Sequence, residues 1–205
     1  MRNPAPPPDG PQDAPAPVHS PHVCPWWLGY LLASPLRRIV NPPAKVLAAH
    51  VRRGMTVLEP GPGMGFFTLE LARLAGPSGR VIAVDIQSRM LDGLRRRAAK
   101  AGVLERLDAR LAAPDSLGIA DLAGRVDFTL ALAMVHELPA AAPFFREVAG
   151  ASKPGARLLF VEPAGHVTAS RFDEELQAAR DAGFTLVESP SVRRCHAALL
   201  ERTGV

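Results

Sequence analysis

The residues best equipped for chemistry lie in VLEPGPGMGFFTLELA, positions 57 to 72. An apolar run ends on the acid Glu59, glycines follow at Gly61, Gly63 and Gly65, and a helical pattern starts at once. Glycine has no Cβ, so three of them at a strand-to-helix seam let a ligand come close to the main chain. The acid suits a ligand that brings a cation or hydrogen-bond donors. A second acid, Asp85, closes the next apolar run, where a ribose-binding carboxylate would stand. His136 and Glu137 follow another apolar run. A histidine there can take a proton from a nucleophile, and Glu137 can orient it or cap the helix expected from Leu138. A structural role for His136, capping the loop that follows, fits its position equally well. Glu162 and His166 flank the same rim, and Glu162 reads as a structural or pocket-lining polar group.

The glycine spacing separates ligand classes. A dinucleotide site uses GxGxxG, whose helix start cradles a pyrophosphate. Here the third glycine comes one place early and Phe66 follows it, which disfavours a dehydrogenase. Glycines serving turn geometry alone would leave Asp85 without a role.

A frame must bring these groups to one edge. MTVLE, RVIAVD, RLDARLAA, VDFTLALAMV and ARLLFVE are apolar runs of strand length. Helical patterns lie between them: about Gly65 to Ala75, RMLDGLRRRAAKA with Ser88 as cap and Gly102 as stop, and LPAAAPFFREVAGAS ended by KPG. SRFDEELQAARDA follows, with Ser170 and Asp173 spaced as a capping box. FTLVES and RRCHAALLE leave no room for a helix between them and are predicted to pair as an antiparallel hairpin. Apolar strands alternating with helices imply an α/β fold, its mostly parallel sheet covered on both faces. Such sheets bind ligands beyond the carboxyl ends of their strands. Glu59, Asp85, Glu162 and the His136-Glu137 pair all fall at such ends.

The chain has 205 residues and a net charge of +4, with its arginines spread rather than gathered into a nucleic-acid stripe. Two cysteines, Cys24 and Cys195, form no CxxC or zinc-type set, so no metal is expected and a reduced, cytoplasmic setting is. No secretory signal or bilayer-length apolar run is visible. Residues 1–22 are Pro/Ala-rich and expected to be a disordered tail. Residues 23–53 are expected to form a helical segment, with Asn41 capping a helix over NPPAKVLAAHV. Residues 54–205 form the expected core.

The pattern E-x-G-x-G-x-G at Glu59, Gly61, Gly63 and Gly65 resembles motif I of class I S-adenosylmethionine-dependent methyltransferases, most nearly the small-molecule, type 11-like ones. The resemblance extends over roughly residues 42 to 201, through the spaced acids and the final hairpin. It implies a Rossmann-like, doubly wound sheet of order 3-2-1-4-5-7-6 with an antiparallel C-terminal strand. It implies S-adenosylmethionine as cofactor, with Glu59 toward its cationic methionine end. Asp85 looks like the family's ribose-binding acid, with Ile86 beside the adenine. Asp115 and Ser116, in APDS, fall where the family reads adenine, and backbone at Ala131 or Leu132 would face the methionine amine. Pro60 and Pro62 stiffen the turn and remove two backbone donors, at positions where the family varies.

Transfer to a small-molecule thiol, hydroxyl or enol would be an in-line displacement with a good neutral leaving group, so positioning and desolvation can supply most of the rate. His136 is the expected base where one is needed. Trp26, Trp27 and Tyr30 could form a lid over the acceptor, pack a helix onto the sheet, or, with residues 25–38, touch a membrane surface; His22 and Cys24 adjoin them. Two cysteines are too few for the arsenite-methylating relatives. Protein or nucleic-acid methylation is the alternative, but the end of the fourth strand reads LAMVHELP, not the (N/D)PP(Y/F) of enzymes that methylate amino groups of bases or glutamine. A non-catalytic nucleotide-binding partner protein would have lost the acids, and Glu59 and Asp85 are present.

Overall fold

The computed structural model describes residues 43–204. The expected tail, His22, Cys24, the aromatic residues Trp26, Trp27 and Tyr30, and the membrane-contact stretch lie outside the described residues. The first described element is a short helix, α1 (Pro43–Leu47).

Strands and helices follow, alternating except between β3 and β4 and between β6 and β7: β1 (Thr56–Pro60), α2 (Thr68–Ala75), β2 (Arg80–Asp85), α3 (Ser88–Lys100), β3 (Leu107–Leu111), β4 (Val126–Leu132), α4 (Ala141–Ala151), β5 (Ser152–Pro163), α5 (Ala169–Asp181), β6 (Phe184–Glu188) and β7 (Cys195–Arg202). The seven strands form one sheet in the order β3-β2-β1-β4-β5-β7-β6, as expected. β1 to β5 run parallel, while β7 pairs antiparallel with both β5 and β6.

Alternation along the strands splits the core in two. Leu58, Leu158 and Phe160 face one layer with Phe144, Phe145 and Phe172 of α4 and α5. Val57, Leu159 and Val161 face the other, with Leu69 and Leu71 of α2. Both faces are therefore covered, and each fully buried Leu or Phe adds about 1.5–3 kcal/mol relative to exposure. A run of ring contacts, Phe144–Phe145–Phe160–Phe172–His196, links the α4 side to β7.

Several boundaries differ from expectation. α2 starts at Thr68, not near Gly65, because Gly61, Gly63 and Gly65 have φ of 66°, 53° and 82°, which no right-handed helix admits. Ser88 is the first residue of α3 rather than its cap; Gln87 holds that place. α5 is capped by Thr168, whose hydroxyl accepts from the Arg171 N–H at 3.3 Å, so the capping box at Ser170 and Asp173 does not form. KPG does not follow α4 as a loop but lies in β5, where the β4 pairing shifts register between Val126 and Phe128. Such an irregularity accommodates Pro154, which has no N–H to give the ladder.

No helix among the described residues is long and apolar enough to cross a membrane. Among them, no group of three or more His, Cys, Asp or Glu is placed to hold a metal ion.

Candidate active site

The chain leaves β1 toward β2 on one side and leaves β4 toward β5 on the other. A crevice opens beyond the carboxyl ends of the strands at that switch point. It is a cavity of about 410 Å³, with Glu59, Gly63, Asp85 and Leu132 in its lining.

The glycine turn forms its floor. The Gly61 N–H donates to the Val84 carbonyl at 2.9 Å and the Gly65 N–H to the Pro62 carbonyl at 3.0 Å. Arg97 reaches from α3 to the Met64 carbonyl at 2.5 Å. A Cβ on Gly65 would lie 2.4 Å from Leu94 Cδ1, so this glycine serves helix packing. A Cβ on Gly63 would meet nothing within 4 Å. Gly63 borders the cavity, so its bare backbone is offered to whatever fills that space.

Two buried acids stand at the strand ends. Glu59 is 4% exposed and its Oε2 has no hydrogen-bond partner. Burial pushes its carboxyl up to about 7, and the charge of Asp85 adds to the rise. The neighbouring Thr68 hydroxyl tempers the shift, yet it makes no well-formed bond and is itself unpartnered. Asp85 is 9% exposed. Burial raises it to about 6, opposed by the N–H groups of Gln87, Gly63 and Ile86. The bond from Gln87 N–H to Oδ1 is 2.9 Å.

Ile86, Asp115 and Ser116 line the same cavity beyond β2 and β3. The Ser116 hydroxyl, however, is engaged: it donates to Glu147 Oε2 at 3.1 Å and accepts from the Gly118 N–H at 3.1 Å. Glu147 also accepts from the Leu117 N–H, at 3.2 and 3.0 Å to its two oxygens. Sequence reasoning missed Glu147, which sits in α4 with no local pattern to reveal a loop partner thirty positions upstream.

At the end of β4, Leu132 lines the cavity, but Ala131 does not; it is fully buried in the core. Ala133, with φ of 54°, and Met134 continue the wall instead. Glu137 lines the cavity and His136, expected there as a base, does not. His136 Nδ1 lies 2.5 Å from Glu162 Oε2, with its ring centroid 6.0 Å from that of His166. Burial lowers the pKa of His136 and raises that of Glu162 to about 7.

Residues 52–191, more than half of the chain, match a family model described as a methyltransferase domain. Ubiquinone/menaquinone biosynthesis C-methyltransferases are similar: that of Klebsiella pneumoniae is 33% identical over 113 residues, 55% of this chain and 44% of its own. That of Pasteurella multocida is 32% identical over 112 residues, 55% of this chain and 41% of its own. The chain thus spans less than half the length of these relatives. A S-adenosylmethionine-dependent methyltransferase from Aquifex aeolicus superposes with a TM-score of 0.78 at 24% identity, over 87% of this chain and 99% of that one. At that identity the superposition speaks to the fold alone, and the family match carries the rest: the chain belongs to the methyltransferase-domain family.

Proposed function

We propose that the protein takes a methyl group from S-adenosylmethionine and transfers it to a small, largely apolar acceptor that carries no carboxylate or phosphate. One observation carries the reading. The described residues lining the cavity include five carboxylates, Glu59, Asp85, Asp115, Glu137 and Glu147, and no Lys, Arg or His. The remaining wall is mostly apolar, with Phe66, Phe67, Met134, Leu138 and Phe144. An anionic acceptor would meet repulsion there and no counter-charge. The matched relatives are C-methyltransferases by name, which favours an enol-type carbon over a thiol or hydroxyl.

The residues present fit the cofactor. Glu59 Oε2 is buried and unpartnered, a carboxylate oxygen available to a cation. A side chain at Gly63 would project into space the protein leaves empty. Asp85 would accept from the ribose hydroxyls, Ile86 and Asp115 would flank the adenine, and backbone at Leu132 or Ala133 would face the methionine amine. Ser116 acts by holding the loop to Glu147 rather than by reading the base. When bound, the cofactor supplies an electrophilic methyl on a good leaving group. The protein's share is to fix the line of attack and exclude water in an apolar cavity. Where the acceptor must lose a proton, Glu137 is the carboxylate that the end of β4 turns to the cavity.

The test is release of S-adenosylhomocysteine over an acceptor panel matched in size and split by charge. Turnover is expected with neutral enol-type and amine acceptors. Turnover confined to carboxylate- or phosphate-bearing acceptors would refute the reading.

A further inference from the structure

Glu162 is the last charged residue of β5, 0% exposed, yet it does not line the cavity. Both of its oxygens grip the segment after β4. Oε1 accepts from the Val135 N–H at 2.8 Å and the His136 N–H at 3.3 Å. Oε2 lies 2.5 Å from His136 Nδ1. Arg171 of α5 adds a third grip, donating to the His136 carbonyl at 2.8 Å. A fourth is the Ala133 N–H, which donates to the Val161 carbonyl at 2.8 Å.

The gripped segment has work to do. Leu132, Ala133, Met134, Glu137 and Leu138 are its contribution to the cavity wall. Ala133 sits at φ of 54°, a left-handed conformation that an L residue with a Cβ holds only when its surroundings impose it. Met134 in turn packs on the glycine turn, since a Cβ on Gly61 would lie 3.0 Å from Met134 Cβ. A continuous path therefore runs from Glu162 through Val135 and His136 to Met134 and Gly61.

We propose that Glu162 is a positioning residue for the cofactor site: its buried carboxylate clamps the Val135–His136 backbone, imposes the left-handed Ala133, and so sets the wall that meets the glycine turn. His136 is the clamp's side-chain partner. The role belongs to the carbonyl-type oxygen and its reach, so Gln, which offers an oxygen to both N–H groups and an N–H to Nδ1, substitutes for it. Leu removes the acceptor, and Asp withdraws it by one methylene.

The test measures S-adenosylmethionine binding by calorimetry for the full chain and for Glu162→Gln, Glu162→Asp and Glu162→Leu, each at a temperature where circular dichroism shows it folded. Kd is expected to rise about 10- to 100-fold for Leu and Asp, the usual cost of losing a group that orients a site from behind. Gln is expected to restore it to within about threefold of wild type, well below that range. Phe184→Leu, in the edge strand β6 away from the cavity, controls for instability: it should lower the melting temperature and leave Kd alone. A Leu variant that folds and binds as wild type overturns the proposal. If Leu does not fold, Asp decides: wild-type affinity in Glu162→Asp overturns it, and weakened affinity beside an unaffected Phe184→Leu supports it.

Discussion

Gly61 and Met134 are packed together across the floor of the cavity. A Cβ on Gly61 would lie 3.0 Å from Met134 Cβ and 3.2 Å from its Cγ. The turn after β1 and the segment after β4 are thus one surface, although 73 positions separate them in the chain. Shape at this floor, rather than glycine content, decides what each glycine does.

Gly63→Ala and Gly65→Ala should accordingly fail in different ways. The new Cβ of Gly63→Ala meets no protein atom and enters the ligand space. The variant should melt modestly lower, since a left-handed residue with a Cβ costs about 1–2 kcal/mol, but lose S-adenosylmethionine binding almost completely. The Cβ of Gly65→Ala would sit 2.4 Å from Leu94 Cδ1, where the glycine turn packs on α3. That variant should lose more melting temperature, overpacking adding about 1–3 kcal/mol. Equal melts, or a Gly63→Ala protein that binds normally, would contradict the assignment.

Asp85→Ala should weaken S-adenosylmethionine by about 1.5–3 kcal/mol, the range for hydrogen bonds to a charged group. NAD should bind neither protein above background, because the third glycine comes early for a pyrophosphate cradle. Calorimetry with both ligands checks this. An unchanged S-adenosylmethionine affinity would place the ribose elsewhere.

Cofactor binding should release protons. Burial raises Glu59 to about 7 and Asp85 to about 6 in the ligand-free protein. A cation or ribose hydroxyls at these groups favour the ionised form, so their pKa values fall on binding. A group whose pKa falls on binding gives up its proton, and affinity rises with pH until the ligand-free pKa is passed. Affinity should therefore climb between about pH 5 and pH 7.5 and level off above, each recovered pKa unit being worth about tenfold. Calorimetry in buffers of different ionisation enthalpy counts the protons directly. A pH-independent affinity with no proton release would mean both carboxylates stay as they are in the ligand-free protein.

Most of the strands and the two acids at the ends of β1 and β2 were legible in the sequence because both are local signals, whereas the strand order came only with the family resemblance. Apolar runs of strand length spell out β1, β2, β4 and β5, and an acid at the end of such a run falls at the ligand edge of the sheet. What escaped was set by contacts between distant segments. Glu147 grips Leu117 and Ser116 across thirty residues, so APDS announced a site residue in Ser116 and concealed the partner that occupies it. Ser170 obeys a capping-box pattern, but Thr168 takes the role because the chain turns from β5 two residues sooner. His136 sits at the right strand end, and nothing local could tell that Glu162 would draw its ring away from the cavity.

That draw supplies the last test. His136 is 17% exposed at its side chain and joined to a carboxylate that has no exposure at all. His136→Ala leaves Glu162 Oε2 buried and unpaired, a loss of about 1–3 kcal/mol, or roughly 2–12 °C in melting temperature for a domain of this size. Turnover should fall by a similar factor for every acceptor, because the variant loosens the wall of the cavity and removes no proton acceptor from it. A general base behaves otherwise: its loss costs roughly 10²–10⁴-fold, most for acceptors that ionise least readily. The measurement is a rate series over acceptors of graded pKa, wild type beside variant, with melts of both. A steep dependence on acceptor pKa at an unchanged melting temperature would return His136 to the role of base. A flat series with a lowered melt would leave proton removal, where an acceptor needs it, to Glu137.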